Sequence, residues 1–514
     1  MTIEEQYMTS VPLHHRKKFA QFFTPEKIAK FMCRWVTKDV NADNILDPAY
    51  GLGIFPRILA DISKANIDAY EIDNSVISYA QKLKPTSVNL KNEDYLSSNW
   101  NVNYDAIVCN PPYFKFQDYN NTKYVAEINE HLNLKLTGFT NIYTLFLLKS
   151  IAQLKEGGKL AYIVPSEFLN SDYGVEVKRA LLQSGTLREI VVIDFRHSAF
   201  NDALTTACLI LCHKTTPTTT VKFSTISNPD NLVTNIGNTF SVKEIDPEVK
   251  WKQYYQEMQS SKYHNLVPFS KFAKVTRGIA TGANDYFTFK RSKIREYKLD
   301  DNCFLPCICH SADVAGILFT ENDFHQLDSK DKNVFLFNGR IGCLHPNGRQ
   351  YIALGEQKKI NQKYLTAARH PWYALEKRKP SPIWVSVFNR NGLRFVRNNA
   401  DVYNLTTFHC VYSTGVVDTD VLFSYLITDV AKEIFWDNSR QYGNGLVKYE
   451  PNDLNKGNVV DLSLLTDEEL LFIKKIYTQM ANGTLKHSDG VHSLNRLFAS
   501  RFVNDSQTIT HSYV

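Results

Sequence analysis

The sequence predicts an α/β domain, with a mixed, mostly parallel sheet and helices on both faces, followed by an α+β domain. In the first half, apolar strand-like runs alternate with segments of helical periodicity over about 215 residues. From about residue 246 the predicted segments become short, aromatic and punctuated by Gly and Asn. We expect domains at residues 1–240 and 241–465 and a helical extension at residues 466–514.

The strands of the first domain are predicted from six apolar runs, at residues 44–46, 67–72, 104–109, 159–164, 189–195 and 205–212. Between the third and fourth runs, apolar side chains recur at helical spacing, which predicts a helix. A threonine-rich stretch follows the sixth run, and the regular alternation then stops. We place the passage between the two domains at residues 215–245.

Two other segments have distinct patterns. Residues 114–139 are rich in Asn, Lys and Tyr and are long for a crossover, which favours a substrate-contacting loop. From residue 466 apolar side chains recur at helical spacing and form one apolar side: Leu470, Leu471, Ile473, Ile476 and Tyr477. The tail therefore predicts a helix, and residues 491–498 predict a second one.

The composition is that of an ordinary globular protein, with 43% hydrophobic and 22% charged residues. No apolar run approaches the roughly 20 residues that span a bilayer. The first residues lack the basic and apolar regions of a signal peptide, so we expect a cytoplasmic protein without membrane attachment. Nine cysteines without framework spacing indicate reduced thiols.

One group of side chains has the ligand types that zinc prefers: Cys303, Cys307, Cys309, His310, Cys343 and His345. The spacing contains no paired Cys-x-x-Cys, however. Cys307 and Cys309 alternate with apolar neighbours, as residues of a strand do. We therefore expect no metal site.

The net charge of +6 lies in the second half of the chain. Residues 1–240 hold 24 basic and 24 acidic side chains, whereas residues 241–514 hold 35 and 29. Within residues 330–397 there are 14 Lys or Arg against 3 Asp or Glu. Nine aromatic residues are interleaved with them: Phe335, Phe337, Tyr351, Tyr364, Trp372, Tyr373, Trp384, Phe388 and Phe395. The pattern is typical of a polyanion-binding surface, and a lysine-rich surface over an aromatic core is the alternative.

The stretch Asn-Pro-Pro-Tyr at residues 110–113 follows an apolar strand. An amino nitrogen conjugated to a heteroaromatic ring is a poor nucleophile, because its lone pair is delocalised. The side-chain oxygen of Asn110 and the carbonyl of Pro111 are two acceptors that can hold both N–H protons and free that lone pair. Tyr113 offers a ring on which a base can stack. A plain proline turn after a strand is the alternative.

Acidic residues and a glycine turn follow the neighbouring predicted strands. Asp47 opens the turn that contains Gly51 and Gly53, where a ligand can approach the backbone. The third glycine of a dinucleotide motif is missing, so we expect a ligand without a pyrophosphate. Glu71 ends the second strand, and Asp94 would end the next short one. These positions are where open α/β sheets bind ligands.

In this order, the motifs resemble the gamma-class (TaqI-type) DNA adenine-N6 methyltransferases. Residues 21–25 (Gln-Phe-Phe-Thr-Pro), 47–53 and 110–113 are similar to the family's cofactor-covering, glycine-rich and catalytic motifs. Residues 140–143 and 157–165 also fit its pattern, and residues 277–287 are similar to the signature that opens its target-recognition domain. The resemblance covers residues 16 to about 460.

The resemblance implies a Rossmann-like methyltransferase domain, a DNA target-recognition domain and S-adenosylmethionine as cofactor. The cofactor site would be formed by Thr24, Asp47, Ala49, Gly51, Gly53, Glu71, Asp94 and Asn110. The catalytic set would be Asn110, Pro111, Tyr113 and Phe200, with the target adenine flipped out of the duplex between the two rings. Asn201 stands where the family has a proline after the phenylalanine, so a core role for Phe200 is the alternative.

The implied partner is double-stranded DNA, bound by a monomer. A separate cognate restriction endonuclease and a solitary regulatory role both remain open. So do an RNA or protein-glutamine methyltransferase with the same catalytic motif, and a DNA-binding subunit whose partner supplies the chemistry. The bases read in the groove are not readable from the sequence. Four arginines are candidates for contacting either a guanine edge or only a phosphate: Arg340, Arg390, Arg394 and Arg397.

Overall fold

The computed structural model describes residues 3–19, 21–114, 120–193, 206–228, 232, 236–389, 392–441 and 446–504. The chain forms two compact units, Met1–Glu257 with Arg440–Gly445, and Met258–Ser439 with Leu446–Val514. The main division thus lies after residue 257, whereas the sequence suggested residue 240. None of the helices in the described part of the chain is both long and apolar enough to cross a membrane.

The first unit is built on a nine-stranded sheet. Its strands are β1 (Asn44–Asp47), β2 (Asn66–Tyr70), β3 (Val88–Lys91), β4 (Tyr104–Cys109), β5 (Leu154–Pro165), β6 (Leu187–Ile193), β7 (Ala207–His213), β8 (Thr220–Ile226) and β9 (Asn238–Ser241). Their order in the sheet is β3-β2-β1-β4-β5-β7-β6-β8-β9. All pairings from β3 to β5 are parallel, and β7 and β9 run antiparallel to their neighbours. The predicted mixed, mostly parallel sheet is confirmed.

Helices cover both faces of this sheet. This follows because alternate residues along a strand belong to different hydrophobic clusters, one on each face. In β4, Ala106 and Val108 pack on one face and Ile107 and Cys109 on the other. The helices of the unit are α1 (Ile3–Ser10), α2 (Leu13–Lys18), α3 (Glu26–Thr37), α4 (Ile54–Ile62), α5 (Asn74–Ala80), α6 (Thr122–Leu132), α7 (Ile142–Ala152), α8 (Gly174–Gln183) and α9 (Lys252–Tyr255). The predicted α/β layers are therefore present.

Two expectations for this unit were wrong. Residues 215–245 are not only a passage between domains, since β8 and β9 extend the sheet there. The sequence did not predict these two strands, because they mix polar and apolar residues. Strands near a sheet edge need only one apolar face. Residues 114–139 are not one long loop, since α6 buries Val125 and Ile128 in the core.

The second unit has several small sheets. Its strands are β10 (Leu266–Pro268), β11 (Ala273–Arg277), β12 (Thr288–Phe289), β13 (Phe304–Ile308), β14 (Leu318–Phe319), β15 (Phe335–Phe337), β16 (Ile383–Ser386), β17 (Phe388–Asn389), β18 (Phe395–Asn398), β19 (Tyr403–Asn404), β20 (Phe408–Ser413), β22 (Val447–Lys448) and β23 (Asn458–Val460); β21 (Arg440–Gln441) belongs to the first unit. The largest sheet of this unit has the order β11-β20-β16-β18-β14, and β14 alone in it pairs in parallel. The predicted short, mixed elements are confirmed.

The helices of the second unit are α10 (Asn284–Phe287), α11 (Arg291–Glu296), α12 (Glu321–Ser329), α13 (Gly339–Gly342), α14 (Pro346–Gln357), α15 (Tyr364–Ala367), α16 (Thr419–Leu426), α17 (Asp429–Trp436), α18 (Pro451–Asn455), α19 (Asp467–Ala481) and α20 (His487–Phe502). Both tail helices were predicted. Thr466 begins α19 with a capping box to Glu469. Leu471 is 69% exposed, so it does not belong to the buried side.

The tail helices are part of the second unit and do not form a separate extension. Ile473 and Tyr477 of α19 and Phe498 of α20 share a hydrophobic cluster with Val385 and Val411 of its largest sheet. The sequence placed a boundary at residue 466 because the helical period begins there, but a change of period does not separate two cores.

Candidate active site

The predicted site residues follow four adjacent parallel strands in the sheet order β3-β2-β1-β4. Asp47 ends β1, Glu71 follows β2, and Asn110 follows β4. Asp94 lies three residues beyond the end of β3 at Lys91, so it does not end that strand. The carboxyl ends of parallel strands share one edge of the sheet, which brings Glu71, Asp94 and Asn110 to the lining of one cleft.

The turn after β1 needs both of its glycines. Gly51 and Gly53 have φ angles of 55° and 76°, in the left-handed region that side chains with a Cβ avoid. A Cβ on Gly53 would lie 2.5 Å from the ring of Tyr50. The turn leads directly into α4, and the backbone N–H of Gly51 points at Glu71.

Glu71 binds the backbone of two loops. Its Oε2 accepts from Gly51 N at 3.0 Å, and its Oε1 accepts from Ile72 N and Asp73 N at 2.9 Å each. Burial raises the pKa of Glu71, although these N–H groups favour the ionised form. The carboxylate lines the cleft and still has lone pairs for a ligand hydroxyl.

Asp47 is fully buried behind the turn and does not line the cleft. Its Oδ1 accepts from Ala49 N at 3.3 Å, and its Oδ2 has no partner. Burial raises the pKa of Asp47 to about 8, against the hydrogen bond from Ala49 and with the help of the nearby Glu71 charge. The structure therefore gives Asp47 a contact to the turn that carries Ala49 and Gly51.

Asp94 begins a short helical turn and is held from two sides. Its Oδ1 accepts from Leu96 N at 2.9 Å, and its Oδ2 accepts from the hydroxyl of Tyr124 at 2.6 Å. Tyr124 lies on α6, within the segment for which the sequence predicts a substrate-contacting loop. Asp94, which lines the cleft, is thus hydrogen-bonded to the segment that follows the Asn-Pro-Pro-Tyr motif.

Lys149 fixes the turn that follows Asp94. Its buried Nζ donates to the carbonyls of Tyr95, Leu96 and Ser98 at 2.9, 3.1 and 2.7 Å. Burial lowers the pKa of Lys149 to about 8, and the attraction of Glu127 and Asp94 opposes this. The sequence offered a signal for this residue, since Lys149 is the one charged residue in the apolar helix Ile142–Ala152.

Asn110 has one end of its amide bound and the other end free. Its Nδ2 donates to the carbonyl of Phe22 at 2.7 Å and to Thr24 Oγ1 at 3.0 Å. Its Oδ1 is buried without a partner. An unpaired buried acceptor costs free energy unless a ligand supplies a donor, so this oxygen is the clearest sign of a substrate.

Tyr113 already contacts two rings. Phe22 lies nearly parallel to it, with ring centroids 5.6 Å apart and 22° between the planes, and Tyr143 meets it edge-on at 6.2 Å. The Tyr113 hydroxyl donates to the carbonyl of Ile163 at 3.2 Å. Phe22 therefore covers one side of the ring on which we expected a base. Phe200, the predicted second ring, lies outside the described residues.

The N-terminal segment is held beside the cleft by hydrogen bonds and ion pairs. Gln21 Nε2 and His15 Nε2 lie 2.6 and 2.8 Å from Asp73 Oδ2, and Arg57 Nη2 lies 2.6 Å from Glu4 Oε1. Burial acts to raise the pKa of Asp73, but the bonds from His15, Ser75 N and Gln21 outweigh it and lower that pKa. Only the 21–25 motif indicated this segment in the sequence, because its partners are distant along the chain.

The cleft is largely apolar with a few polar groups, as small-molecule sites are. Of the predicted site residues, those lining it are Thr24, Ala49, Gly51, Glu71, Asp94, Asn110 and Pro111. The apolar lining includes Phe22, Leu52, Ile72 and Phe146. Gly53 and Tyr113, like Asp47, are not among the lining residues. Acidic groups beside apolar walls suit a nucleoside, with carboxylates for hydroxyl and amino groups.

The six candidate zinc ligands, at residues 303–310, 343 and 345, do not form a metal-binding group in the described part of the chain. Cys307 is buried in β13, as its alternating neighbours indicated. Throughout the described ranges, no group of three or more His, Cys, Asp or Glu side chains is arranged to bind a metal ion.

The basic stretch at residues 330–397 separates into surface and core. Most of its aromatic residues are core residues, but Tyr364 is 91% and Phe388 58% exposed. Arg394 and Arg397 are engaged within the protein, with the carbonyls of Val314 and Gly316 and with Asp420. Arg340 is exposed, and Arg390 lies outside the described residues. The exposed cations are mainly lysines: Lys330, Lys332, Arg340, Arg349, Lys358, Lys359, Lys363, Lys377 and Lys379.

The sheet order, the glycine turn and the cleft at the carboxyl ends of β1–β4 define a Rossmann-like methyltransferase unit. Residues 30–200 match the family model of the Eco57I restriction-modification methylase, and residues 250–489 match that of the C-terminal domain of the type II methyltransferase M.Eco57I. The type II methyltransferase M.AccI of Acinetobacter calcoaceticus is 48% identical over 523 residues, which cover 98% of this chain and 97% of M.AccI. This chain belongs to the type II DNA methyltransferases of restriction-modification systems, and S-adenosylmethionine is its methyl donor.

Two other similarities support less, because one covers only part of the chain and the other is a match of fold at low sequence identity. M.HincII of Haemophilus influenzae is 28% identical over 237 residues, 46% of this chain and 43% of M.HincII. The solved structure of the type IIL restriction-modification enzyme MmeI in complex with DNA matches 97% of this chain and 75% of that chain, with a TM-score of 0.56 and 11% identity. At that identity the second match shows the fold alone.

Proposed function

We propose that this protein transfers a methyl group to the N6 amino nitrogen of an adenine that has rotated out of duplex DNA. The observation that carries this proposal is the buried, unpaired Oδ1 of Asn110, beside the Pro111 backbone at the wall of the cleft. A planar amino group has two N–H donors, and these two oxygens are the acceptors that suit it.

Asn110 and Pro111 would act on the nitrogen by hydrogen bonding alone. The Asn110 oxygen accepts one N–H and the Pro111 carbonyl accepts the other, which favours a tetrahedral nitrogen with a free lone pair. S-adenosylmethionine supplies an electrophilic methyl group when bound. Methyl transfer leaves a positive charge on the nitrogen, which then releases one of its protons to water. Neither acceptor takes up that proton, so Asn110 and Pro111 contribute positioning and electrostatic complementarity.

The cofactor would be held by the residues that line the cleft. Glu71 and Asp94 present carboxylates, Thr24 presents a hydroxyl, and the Ala49–Gly51 turn lets a ligand approach the backbone. Asp47 supports that turn from behind. The residues present fit a nucleoside with an attached polar chain, since apolar walls alternate with these groups.

Tyr113, next to Pro111 and Pro112 in the chain, and Phe22, which lines the cleft, are the rings that we propose the target base contacts. An adenine that stacks on the covered side of Tyr113 has to displace Phe22, because that ring already stacks there with centroids 5.6 Å apart. The target must leave the helix first, since a stacked base cannot present its amino group to a cleft.

The second unit is the part of the chain that we propose grips DNA. Lys358, Lys359 and Lys363 are exposed, and so is the ring of Tyr364, which follows Lys363 in the chain. Lysines that contact phosphates supply affinity without sequence information. The guanine-reading role is not supported for Arg394 and Arg397, whose guanidinium groups are bound within the protein.

In cells, we propose that the modification protects DNA against a separately acting endonuclease, with the methyltransferase bound as a monomer. Nucleoside mass spectrometry of DNA from cells that express the protein tests the chemistry. N6-methyldeoxyadenosine is the expected product, and it should be absent with Asn110→Ala. N4-methyldeoxycytidine as the product would overturn the choice of adenine, because cytosine also carries a planar amino group.

A further inference from the structure

We propose that Thr24 is a positioning residue for methyl transfer, because its hydroxyl and the Phe22 carbonyl together orient the Asn110 amide. This inference rests on the proposed function, which assigns the amino group that Asn110 accepts. Thr24 is 4% exposed and lines the cleft, so its hydroxyl is available to both the cofactor region and Asn110.

The two ends of an asparagine amide have nearly the same shape but opposite hydrogen-bonding roles. Asn110 Nδ2 has two N–H groups, and each has an acceptor, at 2.7 Å in Phe22 and 3.0 Å in Thr24. If the amide turned over, Oδ1 would face the Phe22 carbonyl with no proton between the two oxygens. The Phe22 carbonyl thus selects the orientation, and the Thr24 hydroxyl holds it.

The acceptors themselves are fixed by contacts that do not involve DNA. Gln21 Nε2 donates to Asp73 Oδ2 at 2.6 Å, and Gln21 Oε1 accepts from the Tyr7 hydroxyl at 3.1 Å. Asp73 is 3% exposed and Tyr7 is fully buried, so this anchor belongs to the core of the first unit. The residues next to Gln21 therefore keep their place before a substrate arrives.

The orientation matters because the wrong one repels the substrate. With Nδ2 facing the cleft, Asn110 would present N–H donors to an amino group that is itself a donor. Without the Thr24 hydroxyl, one N–H of Asn110 is unpaired and only the Phe22 carbonyl holds the amide in its productive position. The loss would fall on the methyl-transfer step, where the geometry of the acceptor decides the rate.

Thr24→Val removes the hydroxyl at nearly constant volume, and Thr24→Ser keeps it. At saturating S-adenosylmethionine and saturating DNA, we expect Thr24→Val to lower the single-turnover methylation rate by roughly tenfold or more. Thr24→Ser should restore most of that rate. Isothermal titration with S-adenosylmethionine, in parallel, reports any separate effect on cofactor binding.

A wild-type rate for Thr24→Val at saturation would overturn the inference and leave Thr24 as a cofactor contact only. Gln21→Met gives a second test if Thr24→Val does not fold. It loosens the Phe22 carbonyl and the Thr24 hydroxyl while keeping both residues. An unchanged methylation rate of Gln21→Met at saturation also counts against the inference. Absence of N6-methyladenine with the wild-type protein is a different result, because it contradicts the proposed function itself.

Discussion

The hydroxyl of Tyr124 donates to Asp94 Oδ2 at 2.6 Å and so joins α6 to the acid that lines the cleft. The bond fixes the direction of the carboxylate, since Leu96 N holds the other oxygen. We expect Tyr124→Phe to weaken S-adenosylmethionine binding by about fivefold, which corresponds to the loss of about 1 kcal/mol for one hydrogen bond. Isothermal titration measures this, with the exposed Tyr364→Phe as control. Equal affinity of Tyr124→Phe and wild type would contradict the prediction.

Asn110→Ala should separate binding from chemistry. The variant removes the unpaired oxygen but leaves Glu71 and Asp94 in the cleft, so S-adenosylmethionine should bind nearly as well as in the wild type. We expect the methylation rate to fall by about 100-fold or more, as it does when a single preorganised hydrogen-bonding group is lost from other active sites. Titration and methyl-incorporation assays on the same preparation check both parts. Wild-type turnover would refute the mechanism.

Asp47 should make the ligand-free protein less stable as the pH rises. Its pKa is about 8 when folded, above its ordinary value, so between these values the folded state holds a proton that the unfolded state has lost. The contribution of Asp47 to stability is therefore highest at low pH and declines toward pH 8. Asp47→Asn should stabilise the protein relative to wild type, by an amount that grows with pH by up to about 1.4 kcal/mol per unit.

Urea unfolding of the two proteins at pH 5, 6, 7 and 8 measures this difference. Asp39→Asn is the matched control, because Asp39 is exposed and already adopts a left-handed backbone that asparagine tolerates. A stability difference between Asp47→Asn and wild type that does not change with pH would count against the prediction.

Lys149→Met should destabilise the first unit. The three carbonyls that Nζ binds would lose their donor while remaining buried, which costs about 2–4 kcal/mol in total. Scanning calorimetry should show a lower unfolding temperature, with the half-exposed Lys30→Met as control. S-adenosylmethionine should also bind more weakly, because the turn after Asp94 is no longer fixed. An unchanged unfolding temperature would contradict this role.

Lys358→Ala with Lys359→Ala tests the proposed DNA surface. If both lysines contact phosphates, the slope of log affinity against log salt should fall by about 2, and affinity should fall alike for specific and unrelated DNA. The control pair is Lys475→Ala with Lys486→Ala, two exposed lysines of the tail. Fluorescence anisotropy at several salt concentrations measures the slopes. Equal slopes for the two double variants would show that Lys358 and Lys359 do not contact phosphates.

The sequence was sufficient for the layout of the cleft, because β1, β2 and β4 are local apolar runs and their ends carry Asp47, Glu71 and Asn110. It failed where a contact joins distant residues. The stacking of Phe22 on Tyr113 and the hydrogen bond from Tyr124 to Asp94 are such contacts. Nothing in the local sequence pattern shows which ring or acid a side chain will contact.

Charge counting in the second unit had a similar limit. The excess of basic residues was visible, but the sequence could not show that Arg394 and Arg397 bind their own unit while Lys358 and Lys359 are free of the core. Nor could it separate core aromatic residues such as Trp384 from exposed ones such as Tyr364, because both kinds stand among the same charges.

The hydrophobic clusters of the two units share no residue among those described: one set runs from Tyr7 to Tyr254 and the other from Tyr263 to Phe502. Each unit therefore carries the apolar interior that it needs to fold. It follows that the unit beginning at Met258 is a natural piece to exchange between relatives. Because we propose that the second unit reads the DNA, we expect chimaeras joined near residue 257 to take the target sequence of one parent and the methylation chemistry of the other.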